Sequence, residues 1–198
     1  MTDNPGTQRL DALLSQPVID ADELIAEVER SGPNVDILER LVDQHGRSRD
    51  VKLVQAISFL LARSMWDLTP RNERLNATVL GLLRSAGRTL DPNTLINMST
   101  AVQVLSALGL LRARAPRDRE VMGRFLLRML RHRDIVVRGC ALVMLGHLVA
   151  DATLEPAVTP DTLTAIRSAV RRIADREGLE FAVELTDLQG FIADASAG

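Results

Sequence analysis

The sequence predicts an all-α fold: one α-solenoid domain over residues 1–198, made of about four helical hairpins with N- and C-terminal caps. Three observations predict it. Apolar residues recur at spacings of three and four, with no sustained period-two alternation and no Tyr. Pro33, Pro70, Pro116 and Pro160 stand at or just before the start of a helical pattern, where a missing N–H and a fixed φ cost least. After each proline comes an amphipathic helix, a short polar turn and a more apolar helix, a self-similarity that marks stacked helical hairpins.

In chain order, residues 7–31 are acidic and amphipathic and form the N-terminal cap. The repeats span about 33–68, 70–111, 116–151 and 160–196. Their first helices are NVDILERLVDQHG, RNERLNATVLGLLRSAG, RDREVMGRFLLRMLRHR and DTLTAIRSAVRRIADREG. The second helices are DVKLVQAISFLLARSMW, DPNTLINMSTAVQVLSALGLL, DIVVRGCALVMLGHLVAD and LEFAVELTDLQGFIADAS. Leu41, Leu83, Leu130 and Ile173 align in the first helices at steps of 42, 47 and 43, and Ser58, Ala101, Ala141 and Leu185 in the second at 43, 40 and 44. The second helix of the fourth repeat carries Glu180, Glu184, Asp187 and Asp194, and this polar unit is the C-terminal cap.

The third repeat has one unusual helix. From Asp134 to Asp151, Arg138 is the only full charge between the end aspartates. Val137, Ala141, Met144, Leu145 and Leu148 form one apolar stripe, with Ile135, Leu142, Val143 and Ala150 roughly opposite, so both faces require cover. Neighbouring helices of a stack supply most of it, and the remainder is open to a partner.

Asp134, Val137, Arg138, Ala141, Leu145, Gly146 and Leu148 follow the spacing D-x-x-V-R-x-x-A-x-x-x-L-G-x-L, which resembles the HEAT motif of HEAT/armadillo-like repeat proteins, most clearly over residues 116–149. In that family the Asp and Arg tend to form a ladder between successive units, so the resemblance implies structural roles for Asp134 and Arg138. Asp50 and Asp91 recur before the second helices of the first two repeats, without a counterpart of Arg138.

The net charge is −2, but it is unevenly spread. Residues 1–50 carry eleven acids against five Arg, residues 51–149 fifteen basic residues against six acids, and residues 150–198 nine acids against four Arg. The lone Cys140 excludes an internal disulfide and suits a reducing compartment, and no basic stretch runs into an apolar one at the N-terminus, so a cytoplasmic location is expected. Thr94 to Leu111 is free of charge but holds Asn97, Ser99, Thr100, Gln103 and Ser106, and is expected as a buried helix and not a membrane span.

No phosphate loop, dinucleotide fingerprint, nucleophile elbow or H-E-x-x-H is present. Cys140, His147 and Asp151 share one flank of a helix, yet seven residues separate Cys140 from His147, about 10.5 Å of helix axis, beyond hydrogen-bond reach. His147 with Asp151 supplies too few ligands for a closed zinc site. His45 and His132 fall in polar turns as solvated side chains. Trp66 beside Asp67 invites comparison with HEAT-like DNA glycosylases, but one Trp, four Phe and no Tyr leave little capacity for base stacking. No catalytic residue, cofactor or metal is expected.

The reading that remains is a non-enzymatic scaffold or adaptor. Its first candidate surface is the ridge of second helices, containing Lys52 to Trp66, Asn93 to Leu108 and Val136 to His147, with Val143 and His147 as candidate contacts. The second is a stripe of Arg117, Arg124, Arg128 and Arg131 on the first helix of the third repeat. Guanidinium forks match carboxylates and phosphates, so the expected partner is another protein, an acidic one where it meets this stripe, or a second copy; nucleic acid is the alternative, and no membrane is implied.

Overall fold

Asp50, Asp91 and Asp134, the recurrent residues before the apolar helices, each receive backbone N–H groups of the turn that follows. Asp50 Oδ1 accepts from Lys52 and Leu53, Asp91 Oδ1 from Asn93 and Thr94, and Asp134 Oδ1 from Val136. Each is thus an N-cap, worth about 1 kcal/mol. The computed structural model describes residues 5–65, 67–68, 73–85, 91–113 and 115–193. Among them are twelve helices and no strand. The helices are α1 (Pro5–Leu14), α2 (Ala21–Ser31), α3 (Val35–His45), α4 (Val51–Ser64), α5 (Glu73–Ser85) and α6 (Pro92–Ala107), followed by α7 (Pro116–Leu130), α8 (Ile135–Ala150), α9 (Leu154–Ala157), α10 (Pro160–Glu177), α11 (Ala182–Thr186) and α12 (Gln189–Ala193). No helix of the described residues is long and apolar enough to cross a membrane. The chain divides into two compact units, residues 1–98 and 99–198.

In the first unit α1 packs on α2, α2 on α4, and α3 on both α4 and α5. Ion pairs join α1, α3 and α5: Arg40 with Asp11, and Arg74 with both Asp36 and Glu39. Amides join α4 to the start of α6, with Gln55 donating to Asp91 Oδ1 at 2.6 Å and Asn97 to Ser58 Oγ at 3.1 Å. Within this unit two layers result, α1–α3–α5 and α2–α4 with the first turns of α6. Pro70 lies outside the described residues.

In the second unit α7 packs on α8 and α10, α8 on α11, and α12 on α10. Pro116 and Pro160 occupy the first turns of α7 and α10, as their positions predict. All eight aligned anchor residues, from Leu41 and Ser58 to Ile173 and Leu185, are buried. Gly123 lets α7 approach α10 closely: a Cβ there would lie 2.4 Å from Thr162 Cγ2. Alanine gains about 1 kcal/mol over glycine in a helix, against about 1–3 kcal/mol for overpacking. Gly123→Ala should therefore lower the thermal midpoint, and adding Thr162→Ser, which removes the obstructing methyl, should bring it back to or above that of the parent.

Two features differ from the sequence reading. The segment 154–157, expected as a connection, is the short helix α9, which buries Leu154, Ala157 and Val158 against α7 and α8. The final helix of the fourth repeat is broken at Asp187–Leu188 into α11 and α12. The break buries Leu185, Leu188 and Phe191 while leaving Asp187 exposed.

Candidate functional site

Each unit carries an open groove along its layer of apolar helices. In the first unit a groove of about 490 Å³ runs over α2, α4 and the start of α6. Asp20 and Asp22 stand at one side, and Lys52, Gln55, Phe59, Asn93 and Asn97 line the rest. The Gln55–Asp91 and Asn97–Ser58 bonds hold two of its amides in place. Burial raises the pKa of the Asp91 carboxyl, but hydrogen bonds from Thr94, Gln55 and the backbone outweigh it, so the group sits below its ordinary value.

In the second unit a groove of about 410 Å³ lies between residues 99–103, α8 and the start of α11. Its lining includes Ile135, Val136, Cys140, Val143 and Phe181. Val137, Ala141, Leu142, Met144, Leu145 and Leu148 of α8 are fully buried, whereas Ile135, Val136 and Val143 keep 46%, 58% and 40% of their surface exposed. One apolar face of α8 is covered, and the other, apart from Leu142, is only partly so.

Val143, a sequence-predicted contact, lines this groove, and His147, the other one, does not, although it is exposed on the same helix. Burial pushes the half-buried Cys140 thiol up, and the Asp134 charge adds to this, which is opposite to what a thiolate nucleophile needs. Among the described residues no group of three His, Cys, Asp or Glu side chains is placed to hold a metal. Trp66 lies outside the described residues, and Asp67 is exposed.

The Arg stripe is the outward face of α7, whose other face buries Val121, Met122, Phe125, Leu126 and Met129. Arg117, Arg124 and Arg131 are exposed and Arg128 is half-buried. Arg124 pairs with Glu120 one turn earlier, at 3.4 Å, a solvated i,i+4 contact of little energetic weight. Arg131 differs from the others: it turns into a separate cleft together with residues of α10. Val136 lies within the ridge that the sequence offered, whereas the groove residues Ile135 and Phe181 fall outside the candidate ranges.

One half-buried histidine has an enclosed ring nitrogen. His45, expected in a solvated turn, has its Nε2 enclosed without a hydrogen-bond partner. Burial, and then the Arg40 charge, lower its pKa from the ordinary 6.5. The neutral ring is therefore favoured in the fold, and the stabilisation it brings is complete above about pH 6.5 and declines as pH falls from there towards the folded-state pKa. Melting curves between pH 7.5 and pH 5 (roughly the span over which histidine titrates) should show a midpoint that drops with acidification, and His45→Gln should flatten that drop. An unchanged slope in the variant would assign the pH dependence to other groups.

Against these geometries, no family model, curated protein or solved structure matches the chain.

Proposed function

We propose that the chain is a HEAT-like repeat scaffold, non-enzymatic and cytoplasmic, that holds another protein through its apolar second helices, α8 above all. Three features support the repeat reading: the alternation of two layers in the first unit, the aspartate caps of α4, α6 and α8, and the common burial of the anchor residues. The observation that carries the binding reading is the exposure of Ile135, Val136 and Val143 beside a groove, on a helix whose remaining apolar residues are mostly buried. Contiguous exposed apolar side chains edged by polar ones commonly mark a protein interface.

The test is Val136→Glu with Val143→Glu. Neither residue is buried, so far-UV CD and the melting midpoint should stay near those of the parent. Capture of a partner from the native cytoplasm, or self-association by light scattering, should weaken at least about tenfold, since a charge in an apolar interface costs more than the 1.4 kcal/mol this represents. Capture unaffected by both substitutions sinks the reading. Retention that instead falls steeply with salt, and is lost when Arg117 and Arg124 become Gln, would move the function to a polyanion on the α7 stripe.

A further inference from the structure

We propose that the cleft at the turn from α7 into α8, closed on its other side by α10, binds a phosphate monoester through Arg131, Arg172 and Arg176. The cleft measures about 260 Å³. Buried Leu130, Ala169 and Ile173 form its floor. Its charged lining is Arg131, Arg138, Arg172 and Arg176, with Glu177 as the single acid. That acid is already engaged: Arg138 donates to Glu177 Oε2 from both Nε and Nη2. The remaining three guanidinium groups form no ion pair among the described residues.

Several arginines elsewhere are engaged by carboxylates, a ring or a carbonyl; exposed single arginines such as Arg49 and Arg117 are not, and the cleft differs from both in being lined by three such groups together. Arg30, Arg40, Arg63, Arg74 and Arg124 each meet a carboxylate. On α10 itself, Arg167 stacks over the Phe191 ring at 4.9 Å and Arg171 donates to the Ile192 carbonyl at 2.8 Å, so both hold α12 in place. Arg172 and Arg176, one turn apart, have no such employment, and like charges at that spacing repel. Helix C-termini attract cations, which favours Arg131 after α7 and Arg176 in the last turn of α10, but Arg172 lies too far back to benefit.

A second donor set points the same way. His132 also lines the cleft, and its Nδ1 accepts the Asp134 backbone N–H at 3.1 Å. In the neutral ring this leaves the proton on Nε2 as the available donor. Three free forks and an imidazole N–H over a small apolar floor suit a compact dianion. One carboxylate would use a single fork, and a nucleic-acid backbone needs a track of charge and not one small, open cleft.

The test titrates the full chain with inorganic phosphate and with phenyl phosphate, each against sodium chloride at matched ionic strength, reading arginine Nε–Hε resonances by NMR. Saturable shifts should appear for Arg131, Arg172 and Arg176 with the phosphates and not with chloride. Arg172→Gln with Arg176→Gln should weaken binding roughly tenfold or more, and the two Lys replacements by an intermediate amount, because an ammonium keeps the charge and loses the fork. Arg117→Gln, outside the cleft, should change nothing. All of these residues are solvent-accessible, so melting midpoints should confirm that the fold persists. Flotation with vesicles containing phosphatidic acid separates sources: binding there alone, lost in the Gln variant, assigns the monoester to a lipid headgroup, and equal response to phenyl phosphate assigns it to a soluble ligand. Absence of any saturable phosphate response in every arm, or unchanged affinity in the Gln variant, overturns the proposal and leaves the groove on α8 untouched.

Discussion

Arg138→Ala is expected to lower the unfolding free energy by about 2–3 kcal/mol. The guanidinium makes four hydrogen bonds from three nitrogens: Nε and Nη2 to Glu177, and Nη1 to the carbonyls of His132 and Arg133. It therefore ties the last turn of α10 to the loop that precedes its own helix. The side chains of Arg138 and Glu177 keep only 15% and 26% exposure, so truncation leaves a poorly solvated carboxylate and two carbonyls without their donor. Residual water access to Glu177 holds the cost below that of a fully buried pair. Arg138→Lys should recover less than half of the loss, since one ammonium cannot span both sets of acceptors. In urea unfolding, Arg138→Ala combined with Glu177→Gln should cost clearly less than the two single changes added together. Additivity, or full rescue by lysine, would mean that the fork is not what holds these elements together.

Leu145→Ala is expected to cost about 2–5 kcal/mol, as for other large-to-small changes at fully enclosed positions. Leu145 has no exposed surface, and it lies in the stripe with Val137, Ala141, Met144 and Leu148 that α8 buries. Val143→Ala, two residues earlier on the same helix, should change stability by less than about 0.5 kcal/mol, in the range of ordinary surface positions. The contrast is the useful part. Both residues are aliphatic and belong to equally apolar stretches, so a difference of several kcal/mol would measure which face of the helix the fold covers. Equal losses at the two positions would show that the Val143 face is also closed, for instance by a second copy, and would remove the free surface that the proposed binding function requires.

Much of the architecture was legible from local patterns. Spacings of three and four define helices because a helix returns to the same face at that interval. Prolines mark helix starts because the first turn has no N–H to lose, and Pro116 and Pro160 sit there. Asp50, Asp91 and Asp134 were visible in the sequence only as a recurrence; the structure shows them as caps, their oxygens accepting the first free N–H groups of the helices that follow. The break at Asp187–Leu188 and the short α9 escaped notice because each depends on burying a few side chains against distant helices, which outweighs local propensity.

The candidate sites divide along the same line. That α8 is apolar on two sides follows from the order of its residues alone; that Leu142 is enclosed while Ile135, Val136 and Val143 are not depends on how its neighbours, α7, α9 and α11 among them, pack on it. Likewise Arg131 reads as one member of a stripe on α7, and Arg172 and Arg176 as ordinary charges on a later helix. Packing of α7 against α10 brings them to one cleft across about forty intervening residues. Periodicity records which side of a helix avoids water, a property of each segment in isolation. Which neighbour satisfies that side, and which charges are left facing one another, are set by contacts between segments far apart in the chain, and no short-range pattern encodes them.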